Sequence, residues 1–128
     1  MKSTSPRNTP AYSSLIGIPY GEMDCWGVVR EFYRMEKGIL LESYYDAVPA
    51  TKFDARDLVR SHIGEFDKVE KPEEYGDILL IRMLGVESHI AVYLGKGKIL
   101  HTSIATGCIV DKLSKWERMV TGVFRVSK

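Results

Sequence analysis

Apolar residues follow two different periods along this chain, with the change at Gly76. Upstream, Cys25, Val28, Val29, Phe32 and Met35 recur at i, i+3, i+4, i+7 and i+10, one face of an amphipathic helix. Asp24 stands where an N-cap carboxylate would accept the unpaired N–H groups of the first turn, and Gly38 where a left-handed residue would end the helix. Cys25 is thereby expected at the first helical position. A weaker helical pattern runs from Asp54 to Ile63, where Leu58, Val59, His62 and Ile63 share a face and Gly64 follows. The polar stretch Lys68 to Tyr75, with Pro72, reads as a surface connection. Beyond Gly76, five short runs rich in Ile, Val and Leu are expected as strands: Asp77–Leu84, Ser88–Leu94, Lys98–Ser103, Gly107–Leu113 and Val120–Val126. Helices followed by a meander of strands predict an α+β domain, with the helices packed on one antiparallel sheet.

Composition narrows this picture without redirecting it. A chain of 128 residues, 45% of them hydrophobic, can bury roughly two-thirds of its unfolded surface around one core. Residues 1–11, rich in Ser, Thr and Pro, are expected to form a flexible N-terminal arm, and 12–128 a single domain. The 18 basic and 17 acidic residues are interspersed, which gives no electrostatic ground for nucleic acid or an anionic membrane as partner. No apolar run suits a secretory signal or a membrane span, so no signal peptide and no membrane insertion are expected. Cys25 and Cys108 are then expected as free thiols, Cys108 as a small core residue.

Candidate chemistry enters with the hairpin around Leu94-Gly95-Lys96-Gly97-Lys98. A three-residue loop with Gly97 at positive φ would set Leu94 opposite Lys98, Ala91 opposite His101 and His89 opposite Ser103. The two imidazoles would then share one face as diagonal neighbours, ~7 to 8 Å apart at the backbone. A two-residue loop would send them to opposite faces. The expectation is that both histidines lie on one face with the start of the Cys25 helix packed over it. A helix N-terminus and a neighbouring imidazolium both favour thiolate over thiol. Cys25 is therefore the candidate nucleophile, His89 the base and His101 the group that orients it. The Cys25 N–H is a candidate oxyanion donor. Asp24 is a cap that could also meet a substrate amino group; Tyr20 either lines the cleft or packs as an ordinary aromatic.

The residues Asp24-Cys25-x-Gly27, Gly76-Asp77-Ile78-Leu79-Leu80, Ser88-His89-Ile90-Ala91-Val92-Tyr93-Leu94-Gly95 and Lys98-Ile99-Leu100-His101 resemble, in order and spacing, the NlpC-type (NlpC/P60) cell-wall cysteine peptidases. The resemblance covers roughly residues 17–126. It implies a papain-like α+β fold, with N-terminal helices on a five- to six-stranded antiparallel sheet. It also implies a cysteine endopeptidase that hydrolyses peptidoglycan stem peptides at the bond after γ-D-glutamate, through a thioester. The catalytic roles fall on Cys25, His89 and His101, and substrate binding on Asp24 and Tyr20. Trp26 stands where many members carry Ser, which should reshape the substrate cleft, and the connector before Asp24 is only Gly21-Glu22-Met23. Trp26, Gly38-Ile39-Leu40-Leu41 and Gly122-Val123-Phe124-Arg125 look most like the subgroup found in phage tails. That would give phage tail proteins as partners and a location in the virion, or in the host cytoplasm before export, with action at the bacterial cell wall.

No cofactor is implied. Cys25, His89 and His101 form a set chemically suited to zinc, but no close-spaced ligand pair is present, so no metal is expected. A tail-assembly protein with little hydrolysis, and acyl transfer in place of hydrolysis, are the other readings. Trp116 and Phe124 are expected in the core.

Overall fold

The amphipathic pattern after Asp24 forms the helix α1, Cys25–Lys37. The computed structural model describes residues 10–41, 66–83 and 86–126, and the side chains of all of these except 66, 83 and 86–88. The helical pattern from Asp54 to Ile63 and residues 1–9 of the expected arm lie outside the described residues. An Asp24 carboxylate oxygen accepts the Gly27 N–H at 2.8 Å, and Gly38 adopts φ 66° where its N–H reaches back to the Tyr33 carbonyl. A Cβ at that φ would be strained, so glycine ends the helix cleanly. A short 3-10 turn, Ala11–Leu15, precedes α1 and is tied to it by the Tyr12 N–H on Glu36 Oε2 at 2.8 Å.

Among the described residues, six antiparallel strands come after α1: β1 Phe66–Val69, β2 Ile78–Met83, β3 Val86–Gly95, β4 Lys98–Ser103, β5 Gly107–Lys112 and β6 Val120–Val126. They lie in the order β1-β6-β2-β3-β4-β5. β1 corrects the sequence expectation, because Lys68 and Val69 belong to a strand and the connection begins only at Glu70. Its four residues carry no alternation of their own, and what organises them is the ladder to β6, Phe66 opposite Val126 through Val69 opposite Val123. At the other edge, β5 is covered by the segment before α1: Gly17 N–H donates to the Cys108 carbonyl and Cys108 N–H to the Ile18 carbonyl. Gly107 permits this approach, since a Cβ there would lie 2.9 Å from the Ile18 oxygen.

Both faces of the sheet are buried. On one, Ile78, Ile90, Val92, Leu100 and Cys108 pack with Val28, Val29 and Phe32 of α1. On the other, Leu79, Ile81, Ala91, Ile99 and Val123 pack with Leu113, Trp116 and Val120, beneath the 3-10 turns Leu113–Lys115 and Glu117–Met119. Burial on two sides is why residues 78–81 of β2 read as an unbroken apolar run and not an alternating one.

β2 is anchored to β6 through Asp77. Its carboxylate, 1% exposed, takes Arg125 Nε at 2.8 Å and Arg125 Nη2 at 2.9 Å, together with the N–H groups of Glu73 and Glu74. Burial alone would raise its pKa, but these donors outweigh it and hold the carboxyl below its ordinary value. Asp77→Ala leaves the Glu73 and Glu74 N–H groups without their acceptor, while Arg125 keeps Glu74 at 3.4 Å, and is expected to lower stability by about 1 to 3 kcal/mol in denaturant titration. A group with a depressed folded pKa stabilises fully above its unfolded value, about 3.9, and loses that contribution as pH falls through the folded one. The gap between wild type and variant should therefore narrow only on acidification below pH 4.

Candidate active site

The β3–β4 hairpin decides where the histidines face. Its loop is the two-residue Lys96-Gly97, at φ 54° and 75°, with Gly95 opposite Lys98. The loop is thus one residue shorter than the sequence suggests. A register shift between Tyr93 and Gly95 then adds back one residue, so Tyr93 pairs with Ile99 and Val92 with Leu100. The expected register is reached by a bulge. His89 and His101 share one face, with His89 Nε2 2.9 Å from His101 Nδ1.

That face is not the one α1 covers. The histidines lie on the side of Leu79, Ile81, Ala91 and Ile99, whereas α1 packs on the side of Ile90, Val92 and Leu100. The expectation of a helix packed over the histidine face is overturned, because alternation along β3 and β4 gives adjacent residues to opposite sides. The cysteine approaches by another route. Paired residues of the β3–β4 ladder end at Val92 and Leu100. Tyr93 directs its N–H and carbonyl toward Asp77 and Gly76 on the β2 side, so by alternation the Ile90 N–H points toward β4. It meets the Cys25 thiol, as do the N–H groups of Trp26 and Cys25. The start of α1 thus inserts its sulfur where β3 and β4 part, one residue along β3 from His89.

Charge in the site runs against the sequence expectation. Burial, reinforced by Asp24, pushes the Cys25 thiol up to about 12 despite the three N–H donors. Burial and the neighbouring His101 push His89 down to about 4, and burial lowers His101 although Asp111 opposes it. With Cys25 2% exposed, His89 7% and His101 2%, desolvation of charge dominates the helix dipole. At neutral pH the resting site holds a thiol and two neutral imidazoles.

Two participants were not anticipated. Asp111 Oδ2 lies 3.2 Å from His101 Nε2 and accepts Trp116 Nε1 at 3.2 Å. The Trp116 ring lies 5.6 Å from that of His89 and 5.0 Å from that of His101. Trp116 packs with the core as expected, and it also walls the histidine pair. The signal for Asp111 was present in β5: with His101 opposite Ile109 and Ile99 opposite Asp111, Asp111 is a diagonal neighbour of His101. Extending the hairpin register to the next turn would have found it.

A model of the NlpC/P60 family matches residues 9–125. The chain belongs to the NlpC/P60 family. Two solved structures share its fold. The NlpC/p60 domain of the peptidoglycan hydrolase SagA is 22% identical, covering 91% of this chain and 92% of that one with a TM-score of 0.54. A lipoprotein-like NLP/P60 protein from Staphylococcus aureus subsp. aureus Mu50 is 20% identical with a TM-score of 0.62, covering 98% of this chain and 45% of that one. No curated protein matches the chain.

On the helix side of this NlpC/P60 domain, Tyr20 is half-buried, its phenol raised by burial and by the nearby Cys25 and Asp24. Tyr20, Asp24 and Cys25 are thus brought together. Trp26 is instead taken into the core at 1% exposure, so it offers little open surface to a substrate. Asp24 and Trp26 border an open cavity of about 420 Å³ that also includes Glu22, Arg30 and Glu31. Cys25 and the two histidines do not line it. Among the described residues, no group of three His, Cys, Asp or Glu side chains is arranged to hold a metal ion.

Proposed function

We propose that this NlpC/P60 domain is a cysteine endopeptidase acting on peptidoglycan stem peptides, with Cys25 as nucleophile, His89 as base and His101 as the group that orients it. The observation that carries the reading is the thiol at the start of α1, held by the Ile90 N–H next to a hydrogen-bonded histidine pair. As sulfur attacks the scissile carbonyl carbon, the thiol proton passes to His89. The tetrahedral oxyanion collapses to a thioester while His89 returns that proton to the departing amine. Water then attacks the thioester, giving a proton to His89, and the thiol is re-formed with release of the carboxylic acid. The Cys25 N–H is the nearest oxyanion donor in this scheme. Asp24 and Tyr20 receive the amino end of the stem, and the bond cut is the one after γ-D-glutamate.

Action at the bacterial cell wall follows from that substrate. The features shared with phage-tail members, Trp26, residues 38–41 and residues 122–125, favour a role carried on a tail, with tail proteins as partners. Digesting defined muropeptides and weighing the fragments tests the reading: two products whose masses sum to that of the substrate plus one water, split at the γ-D-glutamyl bond, are expected. Intact muropeptides after prolonged incubation would refute it, and products joined to an added amine would show acyl transfer instead.

A further inference from the structure

We infer that Asp111 is a positioning residue that sets the direction of hydrogen bonding through both histidines, leaving Nδ1 of His89 as the unprotonated nitrogen. The inference rests on the cysteine-peptidase reading for its catalytic consequence, but its geometry stands apart from it. Asp111 is surrounded by donors. Oδ2 accepts Trp116 Nε1, and Oδ1 accepts the Lys112 N–H at 2.8 Å and the Lys115 ammonium at 3.1 Å. Burial would raise its carboxyl, yet Trp116, Lys112, Lys115 and His101 together hold it well below the usual carboxylate range. An ionised carboxylate only accepts, so the 3.2 Å contact with His101 Nε2 requires the proton to sit on that nitrogen.

The remaining protons are placed by elimination. A neutral imidazole has one N–H, so His101 Nδ1 must be an acceptor. The 2.9 Å contact with His89 Nε2 then needs its proton on His89, which leaves His89 Nδ1 with a lone pair. The reverse order would set the His101 Nε2 lone pair against the carboxylate and leave two acceptors in contact. One tautomer of each ring satisfies every contact. Trp116, packed at 5.6 and 5.0 Å from the two rings and bonded to the same carboxylate oxygen, holds the array in register. For a cysteine peptidase this matters because a base with its proton on the wrong nitrogen cannot accept one from sulfur.

The test uses the full chain labelled with ¹⁵N at pH 7, with His62→Gln so that only His89 and His101 report. Long-range ¹H–¹⁵N correlations of the rings are expected to show the Nε2–H tautomer at both. Asp111→Asn, whose amide can donate as well as accept, should mix the tautomers; Asp111→Glu should restore them. On a cleaved muropeptide, Asp111→Asn should lower kcat by about 10- to 100-fold with KM within about twofold, the scale of an outer partner that orients a functional histidine. A proton on Nδ1 of either ring in the parent, or tautomers or kcat unchanged in Asp111→Asn, would overturn the inference. The ring spectra need no substrate. Should no muropeptide be cleaved, the peptidase reading fails while the spectra still decide the proton order.

Discussion

Cys25→Ala is expected to remove hydrolysis of muropeptides, with kcat falling by about 10⁶-fold, the scale on which a nucleophile is lost from a catalytic triad. The bond-making atom is gone, and the neighbouring groups have nothing to activate. Small products traced to residual binding and oxyanion contacts would remain at most. The substitution removes one buried sulfur from the core around α1, so a stability loss of about 1 kcal/mol is expected, typical of a single replacement. Far-UV circular dichroism and thermal melting separate that small effect from unfolding. A folded Cys25→Ala protein that still released stem fragments would sink the nucleophile assignment. Cys108, fully buried with its thiol pushed up to about 11, serves as the contrast: Cys108→Ala should leave the fragment pattern unchanged.

His89→Ala comes next, with kcat expected to drop by about 10²- to 10⁴-fold, the range of positioned acid–base help. Its pH behaviour is the sharper signature. Activity requires His89 without its extra proton, and its folded value of about 4 places the acid limb of kcat/KM there, well below an ordinary histidine near 6.5. The groups facing it are His101 from β4 and the Trp116 ring, and Asp111 and Lys115 bear on it through His101. The thiol tells the same story from the alkaline side. With Cys25 raised to about 12, alkylation by iodoacetamide in a Cys108→Ala background should keep climbing with pH beyond the free-thiol range near 8.5. A plateau of alkylation below pH 7 would reveal a preformed thiolate–imidazolium pair, and the neutral resting site would be wrong. In the neutral case His89→Ala lowers turnover while leaving the alkylation profile in place; in the ion-pair case it moves both.

This neutral site changes how the helix start should be understood. The N–H groups of Cys25, Trp26 and Ile90 all point at sulfur, yet a thiol almost removed from solvent gains less from them than it loses in hydration. A helix terminus is worth up to ~2 kcal/mol when partly buried, whereas full desolvation shifts a pKa by up to 3–5 units. Their value then lies in the transition state, when charge moves from sulfur to the substrate oxygen.

Local rules sufficed for much of the architecture. The 3.6-residue spacing from Cys25 to Met35, with Asp24 and Gly38 as its ends, is chemistry of neighbours, and α1 forms where that pattern places it. The strands after Gly76 were legible because β-branched runs broken by glycine have few other ways to fold. β1 was not, since four residues without alternation acquire strand character only from β6. The histidine pair was legible from spacing, although it depended on a bulge that no local signal distinguished from a longer loop.

Cooperation between distant segments settled everything else. Which face α1 would cover followed from two-sided burial of the sheet, with the turns around Trp116 claiming the histidine side. The parting of β3 and β4 that admits Cys25 is a relation among three elements, and Asp111 matters only because β5 lies beside β4. Even the sign of the thiol's shift belongs to the folded state. Residue identity names the groups that can ionise, but the water withdrawn from them, and the charges set beside them, are properties of packing.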